Sequence, residues 1–154
     1  MKISDHIREE TIKLDLVSKN KDDVIIELVD LVAKSEEVND KDKILKAVIE
    51  REKLCSTGFE NGVAIPHPRQ GQPDVVNSLV TAFGRSKGGI DFEALDGEPV
   101  YLFFLLAAPN DQEHLRVLAR LSRMLKDEKF RNKLSSAKTP AEVLRIIEDR
   151  EKEL

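Results

Sequence analysis

Apolar and polar residues follow two rhythms along this chain: a period of two over short runs, which marks strands, and one near 3.6 over longer runs, which marks helices. Ile12-Lys13-Leu14-Asp15-Leu16 has the strand rhythm and follows a short helix that Ser4 can cap. Val24, Ile25, Leu28, Leu31 and Val32 form the apolar stripe of a helix capped by Asn20, with Asp22 and Asp23 at its positive end. A second helix from Asn39 or Asp40 turns Ile44, Leu45, Val48 and Leu54 toward the core and leaves Arg51 near its C-terminal end. Leu79 to Gly84 reads as a strand and Gly88-Gly89 as a turn. Val100 to Ala107 is apolar throughout and bounded by Pro99 and Pro109, as a central strand covered on both faces would be. Leu115, Leu118, Leu121, Ser122 and Leu125 set a helix from Asp111 to about Lys126, with His114 at its N-terminus. Thr139-Pro140-Ala141-Glu142 is a capping box that opens a C-terminal helix through Val143, Leu144, Ile146 and Ile147.

Helices interspersed with strands predict an α/β fold, with helices covering both faces of a sheet made mixed by the short connection at Gly88-Gly89. The 154 residues, 40% of them hydrophobic, suit one domain spanning residues 1–154. Twenty-nine acidic and 25 basic residues give a net charge of −4 without a basic stripe, which argues against nucleic-acid binding. The sole cysteine, Cys55, forbids an intramolecular disulfide, and nothing resembles a leader or a membrane-spanning run. A cytoplasmic protein that does not insert into a membrane is expected.

The candidate chemistry lies in Cys55 to Pro68. Gly58, Asn61 and Gly62 suit left-handed backbone and close approach, Val63 to Ile65 are strand formers, and Pro66 stops further ladder pairing. His67 is thus held at a strand end near the surface; taken alone, such a histidine is more often a solvated or hydrogen-bonded residue than a nucleophile. Cys55 reads as a small packing residue and His6 as an exposed helix residue. The three histidines and one cysteine lack metal-ligand spacing, so neither metal nor cofactor is expected.

Ser56-Thr57-Gly58 with Asn61-Gly62-Val63-Ala64-Ile65-Pro66-His67 resembles the active segment of type-2 enzyme IIA domains of the bacterial phosphoenolpyruvate-dependent phosphotransferase system (PTS), the fructose, mannitol and nitrogen-regulatory group. Ala47 to Glu52 is similar to that family's helix end, and His114-Leu115 through Leu121-Ser122 to its second histidine helix. The likeness extends over essentially the whole chain. It implies a three-layer α/β/α domain, with His67 as phospho-acceptor and Arg51 and His114 stabilising the phosphoryl group. Thr57, Ser56 and Arg69 are candidate phosphate contacts; Pro68, which lacks an N–H, and the acidic Glu60 depart from the commoner pattern. An HPr-type phosphocarrier is the implied donor and a IIB component the implied acceptor, in sugar uptake. The alternatives are a regulatory module whose partner binding is switched by His67 phosphorylation, and an inert scaffold like the cytoplasmic domains of anion exchangers.

Overall fold

The computed structural model describes residues 1–154. Two short 3₁₀ turns, Ile3–Asp5 and Glu9–Thr11, lead into strand β1 (Ile12–Lys13). Helices α1 (Lys21–Val32) and α2 (Lys41–Leu54) follow, then β2 (Val63–Ala64), β3 (Val80–Ile90) and β4 (Val100–Ala107). Helices α3 (Asp111–Leu125), α4 (Glu128–Ser136) and α5 (Pro140–Lys152) complete the chain. Three expected caps are present: Asn20 and Asp40 accept the backbone N–H three residues on, and Thr139 accepts that of Glu142. Asn110, which the sequence reading did not single out, caps α3 in the same way through the Glu113 N–H.

The strands order as β1-β3-β4-β2, with β1 parallel to β3, β3 antiparallel to β4, and β2 parallel to β4. Alternation along β4 sends Phe103, Leu105 and Ala107 into a core shared with α1 and α2. Leu102, Phe104 and Leu106 enter a second core shared with α3, α4 and α5. This is the expected three-layer α/β fold with a mixed sheet. Each large side chain buried this way stabilises the fold by roughly 1.5–3 kcal/mol.

Several local expectations are corrected. Only Ile12 and Lys13 pair as strand, although the Leu16 N–H still reaches the Arg85 carbonyl at 3.0 Å. Ser4 lies inside the first 3₁₀ turn rather than capping it, and its backbone N–H donates to Glu151 at 2.8 Å. His6 is half-buried, and its carbonyl accepts the Thr81 N–H at 3.1 Å. Leu54, at 63% exposed, and Leu115, at 65%, face solvent. The buried face of α3 is instead His114, Val117, Leu121, Met124 and Leu125, a rotation that takes the histidine inward with the apolar residues.

Gly88-Gly89 is a bulge within β3 rather than a turn, because the register slips between the pairs Arg85–Leu102 and Ile90–Val100. Gly89 has φ +79°, and a Cβ there would lie 2.8 Å from the Tyr101 ring, so glycine is required on both counts.

Candidate functional site

Parallel pairing of β2 with β4 puts the C-terminal ends of both strands at one edge of the sheet. The segment after β2 carries His67, and the segment after β4 opens α3 with His114 in its first turn. Topology therefore brings together residues 47 positions apart in sequence. The joint is fastened by the Leu106 N–H to the Pro66 carbonyl (3.2 Å), the Gln72 N–H to the Ala108 carbonyl (2.7 Å), and the Gly71 N–H to the Asp111 carboxylate (2.7 Å). Before β2, Asn61 (φ 63°) and Gly62 (φ 73°) reverse the chain in left-handed conformation. Gly58 does not share that conformation; its lack of a side chain serves close approach to Ala94 and Phe92.

The His67 and His114 ring centroids lie 5.3 Å apart with the planes tilted 53°. Both residues are buried, at 7% and 4% exposed. Nδ1 of His67 contacts the Ile65 carbonyl oxygen. A carbonyl can only accept, so the ring nitrogen carries the proton and Nε2 keeps the free lone pair. Burial lowers the His67 pKa to about 4; the Ile65 bond opposes this, while the nearby His114 and Arg51 charges reinforce it. Burial also lowers the pKa of His114, against the opposing effect of Asp111. At neutral pH the site therefore holds two uncharged imidazoles. Nδ1 of His114 is buried without a partner.

Arg51 sits at the end of α2, where its Nη1 donates to the Cys55 carbonyl at 2.7 Å. It lines an open groove of about 410 Å³ with Leu54, Arg69, Gln70 and Gln72. Arg69 is exposed on that rim, Pro68 is buried and Glu60 is exposed. The two hydroxyl candidates are already engaged: Ser56 Oγ donates to the Phe92 carbonyl at 2.8 Å, and Thr57 Oγ1 donates to Glu52 at 2.7 Å. Cys55 is exposed at the helix end and packs in no core, contrary to the expectation for it.

Sequence reasoning passed over Glu52. It is 6% exposed, and it accepts both the N–H and the hydroxyl of Thr57. The signal was available: Ile44, Val48 and Glu52 recur at intervals of four on the buried face of α2, so a carboxylate occupies an apolar position.

Fold and site together define a class: a three-layer α/β domain that holds a neutral imidazole, with one ring nitrogen tied to the backbone, at the strand ends of a mixed sheet. A family model described as phosphoenolpyruvate-dependent sugar phosphotransferase system, EIIA 2, matches residues 5–150. The fructose-specific EIIABC component of Bacillus subtilis is 40% identical over 154 residues, 99% of this chain and 24% of that protein. The chain thus spans about a quarter of that relative's length. The fructose-specific EIIA component of Haloferax volcanii is 36% identical, covering 90% of this chain and 89% of that protein. The crystal structure of nitrogen regulatory protein IIA-Ntr from Neisseria meningitidis superposes with a TM-score of 0.84 at 31% identity, over 94% of this chain and 98% of that one. The chain belongs to the EIIA type 2 family, whose members are phosphotransfer components.

Proposed function

We propose that residues 1–154 act as one carrier domain, which accepts a phosphoryl group on Nε2 of His67 from the phosphohistidine of an HPr-type protein and passes it to a IIB component during sugar uptake. The observation that carries this reading is the bond from His67 Nδ1 to the Ile65 carbonyl, which leaves Nε2 unprotonated in a ring that burial keeps neutral. In the forward step the Nε2 lone pair forms the new N–P bond while the donor's N–P bond breaks and its electron pair returns to the donor ring. The Nδ1 proton stays in place. The phosphorylated ring is therefore an imidazolium whose charge the Ile65 carbonyl stabilises, and loss of the phosphoryl group to the next acceptor restores the neutral ring. Arg51 supplies positive charge to the transferring oxygens, and His114, in the first turn of α3, adds a neutral imidazole and the positive end of the helix dipole. Arg69 extends the cationic rim, while Ser56 and Thr57 act through the loop they hold.

This reading puts the protein in the cytoplasm; no helix is long and apolar enough to cross a membrane. A second reading is supported by the likeness to a nitrogen regulatory protein over 94% of the chain: phosphorylation of His67 would then switch which protein is bound. Incubation with enzyme I, an HPr-type carrier and phosphoenolpyruvate tests the shared chemistry. An acid-labile phosphate, absent from His67→Ala, is expected; undiminished phosphorylation of that variant overturns the assignment. Onward transfer to a IIB component separates the two readings.

A further inference from the structure

Glu52 adjoins Arg51 in sequence but turns into the protein, where the phosphoryl chemistry gives it no part. Its Oε1 accepts the Thr57 N–H at 2.8 Å and its Oε2 the Thr57 hydroxyl at 2.7 Å. Lys21 Nζ lies 3.1 Å from Oε1, itself held 4.8 Å above the Phe92 ring. A buried carboxylate is costly unless paired and hydrogen-bonded, and here both oxygens are occupied. The task also selects the residue type. Only a carboxylate accepts on two oxygens with no donor of its own, so it can grip two donors of one threonine.

The grip is passed on. The Thr57 carbonyl accepts the Ile65 N–H at 3.2 Å, and the Ile65 carbonyl accepts the Nδ1 proton of His67. Ile65 is 2% exposed, packed in the core beneath α3, so its two backbone groups stay aimed in these two directions. We propose that Glu52, clamped by Lys21, is the positioning residue for His67: it fixes Thr57, Thr57 fixes Ile65, and Ile65 holds the imidazole with Nε2 bare. The consequence for transfer rests on the reading of His67 as acceptor; the effect on the ring does not. Lys21 also offsets the negative charge that Glu52 brings close to an anion site, which explains how a carboxylate is tolerated there.

Nitrogen-15 NMR of the ring distinguishes protonated from bare nitrogens and tests the proposal without any phosphoryl transfer. In the wild type, His67 is expected as the Nδ1–H tautomer at neutral pH. In Glu52→Gln, whose amide turns a donor toward Thr57, and in Thr57→Val, which lacks the hydroxyl, His67 is expected to populate both tautomers. Labelling by a phosphorylated HPr-type carrier should slow about ten- to a hundredfold with it. Thr57→Ser keeps both contacts and should restore tautomer and rate. A His67 that remains wholly Nδ1–H in Glu52→Gln and Thr57→Val overturns the proposal, whatever their melting temperatures. Should Glu52→Gln fail to fold, Thr57→Val decides alone. A tautomer shift in a protein whose wild type accepts no phosphate supports the positioning role and overturns the acceptor reading instead.

Discussion

His67 and His114 face each other across 5.3 Å although they follow different strands, because β2 and β4 are parallel neighbours that end at the same edge of the sheet. Under the carrier reading proposed above, that arrangement separates two kinds of support for a phosphoryl group: the ring that bonds it and the groups that stabilise its charge.

The supporting groups should affect rate without being required for attachment. Arg51→Ala and His114→Gln are expected to accept phosphate about ten- to a hundredfold more slowly, the effect of losing one charge-assisted contact of roughly 1.5–3 kcal/mol. Labelling time courses with the variants' circular dichroism check this. Wild-type rates and adduct lifetimes in both variants would reduce Arg51 to a helix-end cation on the Cys55 carbonyl and His114 to a packed core residue.

Acid should weaken the fold through His67. Its pKa is about 4 in the folded protein and near the ordinary 6.5 unfolded, so below 6.5 the unfolded chain takes up the proton first. The stabilisation from the neutral ring is complete above pH 6.5, falls between 6.5 and 4, and is gone below, amounting to about 3 kcal/mol. Denaturant unfolding over that range in wild type and His67→Gln should differ in slope, the variant being flatter. A His67 NMR titration midpoint near 6.5 would contradict this.

The bulge in β3 should be intolerant of a side chain. Gly89→Ala adds a methyl at φ +79° against the Tyr101 ring, a strain of about 1–3 kcal/mol. A lower melting temperature with unchanged phosphate acceptance is expected, since the bulge lies away from His67 in the sheet. An unchanged melting temperature would mean that the bulge relaxes freely.

Glu151 ties the chain's start to α5 by accepting the Ile3 and Ser4 N–H groups at 2.8 Å each and the Arg120 side chain at 2.7 Å. Burial disfavours its charge, yet the bonds from Ser4, Arg120 and Ile3 prevail and hold its pKa below the usual carboxylate value. Glu151→Ala is expected to cost about 3–5 kcal/mol, because buried donors lose their acceptor. Fast amide exchange at Ile3 and Ser4 should accompany the loss, and unaltered protection there would refute the link.

The fold was legible where one signal decided each element. The stripe of α1, the caps at Asn20, Asp40 and Thr139, and the apolar run of β4 each depend on neighbours in sequence, and each forms as read. Legibility failed where distant contacts decide. Gly88-Gly89 has turn chemistry, but Tyr101 and Val100 on the next strand hold it in the ladder as a bulge. Leu115 fits a helical stripe, yet the rotation of α3 gives the buried position to His114. The site divides the same way. The backbone reversal at Asn61-Gly62 and the strand leading to His67 were readable from residue type. The hydrogen bonds from Glu52 to Thr57 and from His67 to Ile65 were not, since they depend on which way buried polar groups turn.

The central claim, that Nε2 of His67 carries the phosphoryl group, is tested most directly by phosphorus and nitrogen NMR of the phosphorylated protein labelled with nitrogen-15 in its histidines. The account predicts one phosphorus resonance coupled to Nε2 of His67, with Nδ1 still protonated and no phosphate on His114 or His6. Phosphorus bonded to Nδ1 of His67, or to either other histidine, would contradict it.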